Sequence, residues 1–362
     1  MMSTAWLAGP ERSLTRFAEK PRYREGLYRV SADCYAWLVP NGAWGETNIG
    51  LIDCGRESVL IDTCWDLHYT TEMLDFMHPV VAHAPITHII NTHADGDHCW
   101  GNQLFGNTRI ISSQACARHI HHTSPTAMNA IKNIAGIARH LPLRSMRDFG
   151  HYMGAMLKPY DFSGINVQAA TETFVQEKQL RIGNIELQLI QVGPAHTDGD
   201  TIIYIPERNT AYSGDIVFAD STPVAWAGPV ENIVQALRHL LALKVDILVP
   251  GHGPLATPAI VQQQIDYWEF LQENLYQSCQ QGIAPQDAAR QLLLSARFGN
   301  SPFANWGSPE RAVTSAFTLY RHWGIKLPGL PDKLNILNVL RHQAGTAMRL
   351  PHASPAAMHS WD

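Results

Sequence analysis

Four residues with metal-binding side chains, His93, Asp95, Asp97 and His98, stand within six positions in the stretch Asn91-Thr92-His93-Ala94-Asp95-Gly96-Asp97-His98-Cys99. They follow His88-Ile89-Ile90, a short apolar run of strand type, so the polar cluster marks the point where a strand gives way to a loop. Ligands on one such loop can converge on a single ion. Imidazole nitrogen and carboxylate oxygen together form a donor set that suits zinc, iron or manganese better than soft copper.

Alone, the segment also reads as an Asp-Gly-Asp turn with two surface histidines. The rest of the chain weighs against that reading, because the same arrangement returns. Leu187 to Val192 leads into Gly193-Pro194-Ala195-His196, the strand-like Ile202 to Ile205 precedes Ala211-Tyr212-Ser213-Gly214-Asp215, and Ile247-Leu248-Val249 leads into Pro250-Gly251-His252. Each time a strand-like run ends near glycine and a residue able to bind metal.

The ordered set resembles the metallo-β-lactamase superfamily. The family signature is an Asp after an early strand, a THxHxDH loop, a His, an Asp and a last His; here these positions are Asp62, Thr92 to His98, His196, Asp215 and His252. The resemblance covers about residues 25 to 255, and one position departs from it: Asp95 stands where the family usually has the second His of the loop. It implies an α+β fold, a four-layer αββα sandwich. It also implies that one ion is held by His93, Asp95 and His196 and a second by Asp97, His98 and His252, with Asp215 between them and Asp62 orienting the loop from behind. A helical insertion is expected at about 114–164, inside a catalytic domain of residues 22–255, and a C-terminal helical extension and tail over 256–362.

In the insertion, Met128, Ile131, Ile134 and Ile137 recur at helical spacing, and Met146, Phe149, Tyr152, Met153, Met156 and Tyr160 follow. Such a series reads first as a buried stripe and second as an apolar cover over the site. His119, His121 and His122 read as a surface cluster. The region Trp306 to Trp323 resembles helical tails that close over the site or mediate dimers in this family, which leaves a homodimer open.

A net charge of −5 supplies no basic field for a phosphate backbone, so nucleic acid is not an expected partner. No apolar run approaches the roughly 18 residues that mark a membrane span. The six cysteines show no CxxC spacing, which points to reduced thiols and a cytoplasmic setting. The expected partner is a small-molecule substrate.

The expected activity is metal-dependent hydrolysis of an ester, lactone, thioester, lactam or phosphoester, with Asp97 and Asp215 nearest the chemistry. A divalent ion lowers the pKa of bound water from about 15.7 towards 7, which removes the need for a Ser or Cys nucleophile. Zinc is common in the family, but Asp95 alters the charge: three carboxylates against two divalent ions leave +1, where the usual His leaves +2. Extra anionic oxygen favours iron or manganese. The alternative on the same fold is a diiron enzyme that activates oxygen.

Overall fold

The computed structural model describes residues 4–326 and 332–350. Its first sheet has eight strands in chain order: β1 (Ala5–Ala8), β2 (Gly26–Ser31), β3 (Cys34–Leu38), β4 (Ile49–Asp53), β5 (Ser58–Ile61), β6 (Ile86–Ile90), β7 (Arg109–Ser113) and β8 (Glu172–Phe174). Pairing is antiparallel from β1 to β5 and parallel from β5 to β8. The second sheet, in the order β13-β12-β11-β10-β9, comprises β9 (Glu177–Ile182), β10 (Ile185–Gln191), β11 (Thr201–Ile205), β12 (Thr210–Tyr212) and β13 (Ile247–Val249). Only its β12–β13 pair is parallel.

Alternation along the strands builds the layers, because successive side chains point to opposite faces. Val59 and Ile61 pack with Ile203, Ile205, Leu187 and Leu189 in one core between the sheets. Leu60, lying between them, faces the other way onto helix α1 (Leu67–Val81), where it meets Tyr69, Met73 and Met77. Ile202 of the second sheet likewise turns outward, towards the helices on that side. The result is the expected sandwich: two mixed sheets face to face with helices outside.

The remaining helices are α2 (Gly96–Cys99), α3 (Gln114–His119), α4 (Pro125–Ala138), α5 (Arg144–Leu157), α6 (Val230–Leu243), α7 (Pro258–Gln280), α8 (Pro285–Leu293), α9 (Ala296–Gly299), α10 (Arg311–His322) and α11 (Asp332–Ala347). The described residues after 255 are mostly helical, as expected, and no helix among the described residues is long and apolar enough to cross a membrane. Of the extension and tail expected over 256–362, residues 327–331 and 351–362 lie outside the described residues.

The insertion is helical, and Phe149, Tyr152, Met153, Met156 and Tyr160 are buried in packing. Its helix α4 differs from the periodicity reading. Ile134 and Ile137 of α4 face solvent, while Met128, Ala135 and Ala138 are buried. The small face wins because α5 comes very close: a Cβ at Gly150 would stand 2.2 Å from the Arg139 nitrogen and 2.7 Å from the Ala138 carbonyl carbon. Only a glycine-alanine contact permits that approach. Helix α1 stops at Val81, two residues past its internal Pro79.

Candidate metal centre

Every residue of the predicted set lies in a segment that follows a strand end, with Asp97 and His98 on the short helix α2. Asp62 follows β5 with a positive φ of 65°, and its carboxylate accepts from the Thr92 amide at 2.7 Å, the Thr92 hydroxyl at 2.7 Å and His98 Nδ1 at 2.9 Å. One side chain thus binds the loop after β6 at two points. The carbonyl of His98 accepts from Asn91 Nδ2 at 3.0 Å, which closes the loop on itself. Gly214 and Gly251 let the last two loops approach closely: a Cβ at 251 would lie 2.0 Å from Asp215 Oδ1.

Four imidazoles converge, and each is held by its outer nitrogen. His93 Nδ1 meets the Thr92 hydroxyl at 2.9 Å, His98 Nδ1 meets Asp62, His196 Nδ1 meets the Val224 carbonyl at 2.7 Å and His252 Nδ1 meets the Glu46 carbonyl at 3.0 Å. A neutral ring that donates through Nδ1 carries a lone pair on Nε2, which is the tautomer a metal requires. The ring of Phe218 stacks on His252 with centroids 5.0 Å apart and planes 7° from parallel.

The inner atoms fit divalent ions. His93 Nε2, His98 Nε2 and Asp215 Oδ1 are buried without a hydrogen-bond partner, an arrangement that costs free energy unless a cation satisfies it. Two groups emerge, His93 with His196 and Asp215, and Asp97 with His98 and His252; within each, the candidate donor atoms lie within 4.8 Å of one another. Asp215 reaches both: Oδ1 is 3.2 Å from His98 Nε2, and Oδ2 is 3.2 Å from His252 Nε2 and 3.4 Å from His196 Nε2. Donors about 2.1 Å from one tetrahedral ion stand about 3.4 Å apart. Asp97 Oδ2 accepts from the Thr47 hydroxyl at 3.0 Å and lies 3.8 Å from His252 Nε2.

Asp95 belongs beside the first group. Its Oδ2 is 3.2 Å from His196 Nε2 and 3.8 Å from His93 Nε2, and its side chain is 35% exposed, more than that of Asp97 or Asp215. Thr47 and the carbonyls of Glu46 and Val224 were not foreseen from the sequence, since a backbone acceptor leaves no mark on residue identity. His119, by contrast, pairs with Asp198 at 3.0 Å on the surface, as expected of that histidine cluster.

Without cations the centre collects protons. Burial alone would raise Asp215, but His252 and His98 hold it well below the usual carboxylate range. Burial opposes a charged His196, yet Asp95 and Asp215 lift it to about 9; His98 rises well above its ordinary value against the same penalty, through Asp215 and Asp62. His93, dominated by burial and by its neighbour His98, falls well below. Bound divalent cations would take the place of these protons, so loading would release them.

Residues 42–252 match the profile of the metallo-beta-lactamase superfamily. The chain belongs to that superfamily. Among curated relatives it is similar to the 2,4-dinitroanisole O-demethylase subunit alpha of Nocardioides sp. (strain JS1661), 36% identical over 93 residues that are 23% of this chain and 26% of that one. It is also similar to hydroxyacylglutathione hydrolase of Hydrogenovibrio crunogenus, 28% identical over 177 residues, 44% of this chain and 62% of that one. Both alignments cover less than two thirds of the relative. A solved structure of the inverting sec-alkylsulfatase from Pseudomonas sp. superposes with a TM-score of 0.59 at 15% identity, covering 86% of this chain and 52% of the other, a likeness of fold. Superfamily membership also accounts for the sandwich and for ligand loops gathered at one end of it.

Proposed function

We propose that this chain is a binuclear metal-dependent hydrolase acting on an ester, lactone, thioester, lactam or phosphoester of a small-molecule substrate. The observation that carries the reading is the set of four histidines anchored through Nδ1, with Nε2 atoms turned on a shared Asp215. In this reading His93, Asp95 and His196 hold one ion, Asp97, His98 and His252 the other, and Asp215 contributes to both. A divalent pair, when bound, supplies Lewis acidity and brings the ionisation of water towards neutral pH.

The chain's own groups then do the rest. Asp215 is held ionised by its histidine neighbours and keeps the two ligand groups in register. Asp97, fixed through Oδ2 by Thr47 and partly open to solvent, is the carboxylate placed to take the proton of attacking water and pass it to the leaving group. Cys99 is no nucleophile, because burial pushes its thiol well above the ordinary range. The hydrolase name of one relative supports hydrolysis over the oxygen-activating alternative.

Two finer assignments accompany this reading. Asp95 adds anionic oxygen, which inclines the centre to iron or manganese over zinc. Residues 22–255 form the catalytic unit with its 114–164 insertion, and 256–362 form an appended helical unit in a protein that works in the cytoplasm. The deciding experiment is a panel of carboxylic esters, lactones, thioesters, lactams and phosphodiesters. Each is assayed with metal-free protein and after addition of zinc, manganese or ferrous iron. Metal-restored turnover of one class supports the reading; turnover that survives chelation overturns it.

A further inference from the structure

Helix α10 lies beyond residues 42–252, the span that carries the family resemblance, yet one of its faces is bonded to the segment 221–227, which holds His196. Arg311, Ser315, Thr318 and His322 recur at intervals of four, three and four residues, which places them on a single stripe. All four bond to the segment 221–227. Arg311 Nη1 donates to the Ser221 hydroxyl at 3.1 Å and the Thr222 carbonyl at 3.2 Å, and Ser315 Oγ accepts from the Ala225 amide at 3.2 Å. Thr318 Oγ1 donates to the Trp226 carbonyl at 3.4 Å, and His322 Nε2 meets the Ala227 carbonyl at 2.8 Å.

That segment holds His196 from two sides. The Val224 carbonyl accepts from His196 Nδ1, and the Trp226 amide donates to the His196 carbonyl at 2.8 Å. The Val224 carbonyl and the Ala225 amide belong to one peptide unit, which is planar and rigid. Ser315 therefore fixes, through the nitrogen end of that plane, the direction of the oxygen that aims His196. Ser315 and Arg311 are both buried, so the bonds are shielded from competing water.

We propose that Ser315, supported by the rest of the stripe, is a positioning residue for the ion-binding group His93, His196 and Asp215, so that this half of the centre is completed by the C-terminal helices. The inference rests on the binuclear reading and adds to it a residue that touches no ion. Partners that act through a ligand's outer nitrogen change metal affinity by about 10- to 100-fold.

The test compares Ser315→Ala with Thr314→Val. Thr314 is the adjacent buried hydroxyl on the same helix, but it donates at 2.6 Å to Gln343 Oε1, on a different side from segment 221–227. Metal-free proteins are titrated with cobalt(II), and melting temperatures are recorded in parallel. The expected result is one of two binding events weakened about tenfold in Ser315→Ala, with native affinities in Thr314→Val even where the two variants lose similar thermal stability. Native affinities in Ser315→Ala, or equal weakening in both variants, overturn the proposal. Wild-type protein that binds fewer than two ions overturns the binuclear reading together with the inference, so the two failures are told apart without any activity assay.

Discussion

Asp95 Oδ2 lies 3.2 Å from His196 Nε2, although His196 already donates its other ring proton to the Val224 carbonyl. In a neutral ring that contact sets two lone pairs against each other, so a cation belongs between or upon them: a proton in the metal-free protein, a metal ion in the loaded one. We expect Asp95→His to move metal preference towards zinc and the acidic limb of the pH-rate profile to lower pH. Metal content measured after loading from an equimolar zinc and iron(II) mixture, with a pH profile of turnover, checks this. Unchanged content and profile would make Asp95 a bystander.

Asp62 is buried and accepts three hydrogen bonds from Thr92 and His98. Replacement by alanine leaves those donors without a partner, at about 1–3 kcal/mol for each one that water cannot reach. Asp62→Ala is expected to lose roughly 3 kcal/mol of stability and to bind metal about 10- to 100-fold more weakly. Denaturant unfolding and metal titration report the two effects separately.

Gly251 has no room for a side chain, since a Cβ would collide with Asp215 Oδ1. Gly251→Ala should therefore displace Asp215 while leaving the two sheets intact. A fall in turnover of about 100-fold is expected for a displacement near 1 Å. Circular dichroism should match the wild type; a variant of full activity would show that Asp215 can move freely.

A pH effect is expected far from the metal loops. Burial pushes Glu310 up to about 7, while Tyr152 donates to its Oε1 at 2.8 Å. A folded pKa above the unfolded value of 4.5 means the contribution is fully present below about 4.5 and is lost as pH rises towards 7. The shift corresponds to about 3 kcal/mol. Thermal melts between those pH values should decline in the wild type and decline less steeply in Glu310→Gln, since buried Glu46 and Asp200 are raised in the same range.

How much of this could be read in the sequence depends on where the information lies. His93, Asp97, His98, His196, Asp215 and His252 are legible because each stands at a strand end with glycine nearby. Val224 and Glu46 are not, because they act through backbone oxygens that any residue carries. Ser315 meets its loop 90 residues away in the chain, on a helix whose buried polar stripe resembles an exposed face when read alone. Helix α4 misled in the opposite way: isoleucine periodicity marks an apolar face, but the tight contact with Gly150 selects the alanine face for burial.

The unequal exposure of the ligand atoms has a consequence in time. The four histidines are nearly sealed, whereas the carboxylates of Asp95 and Asp97 are 35% and 17% exposed. A cation arriving from solvent would thus meet the oxygens of Asp95 and Asp97 before the ring nitrogens. Release would retrace that path, and a chelator would then meet first the ion held by the more open carboxylates.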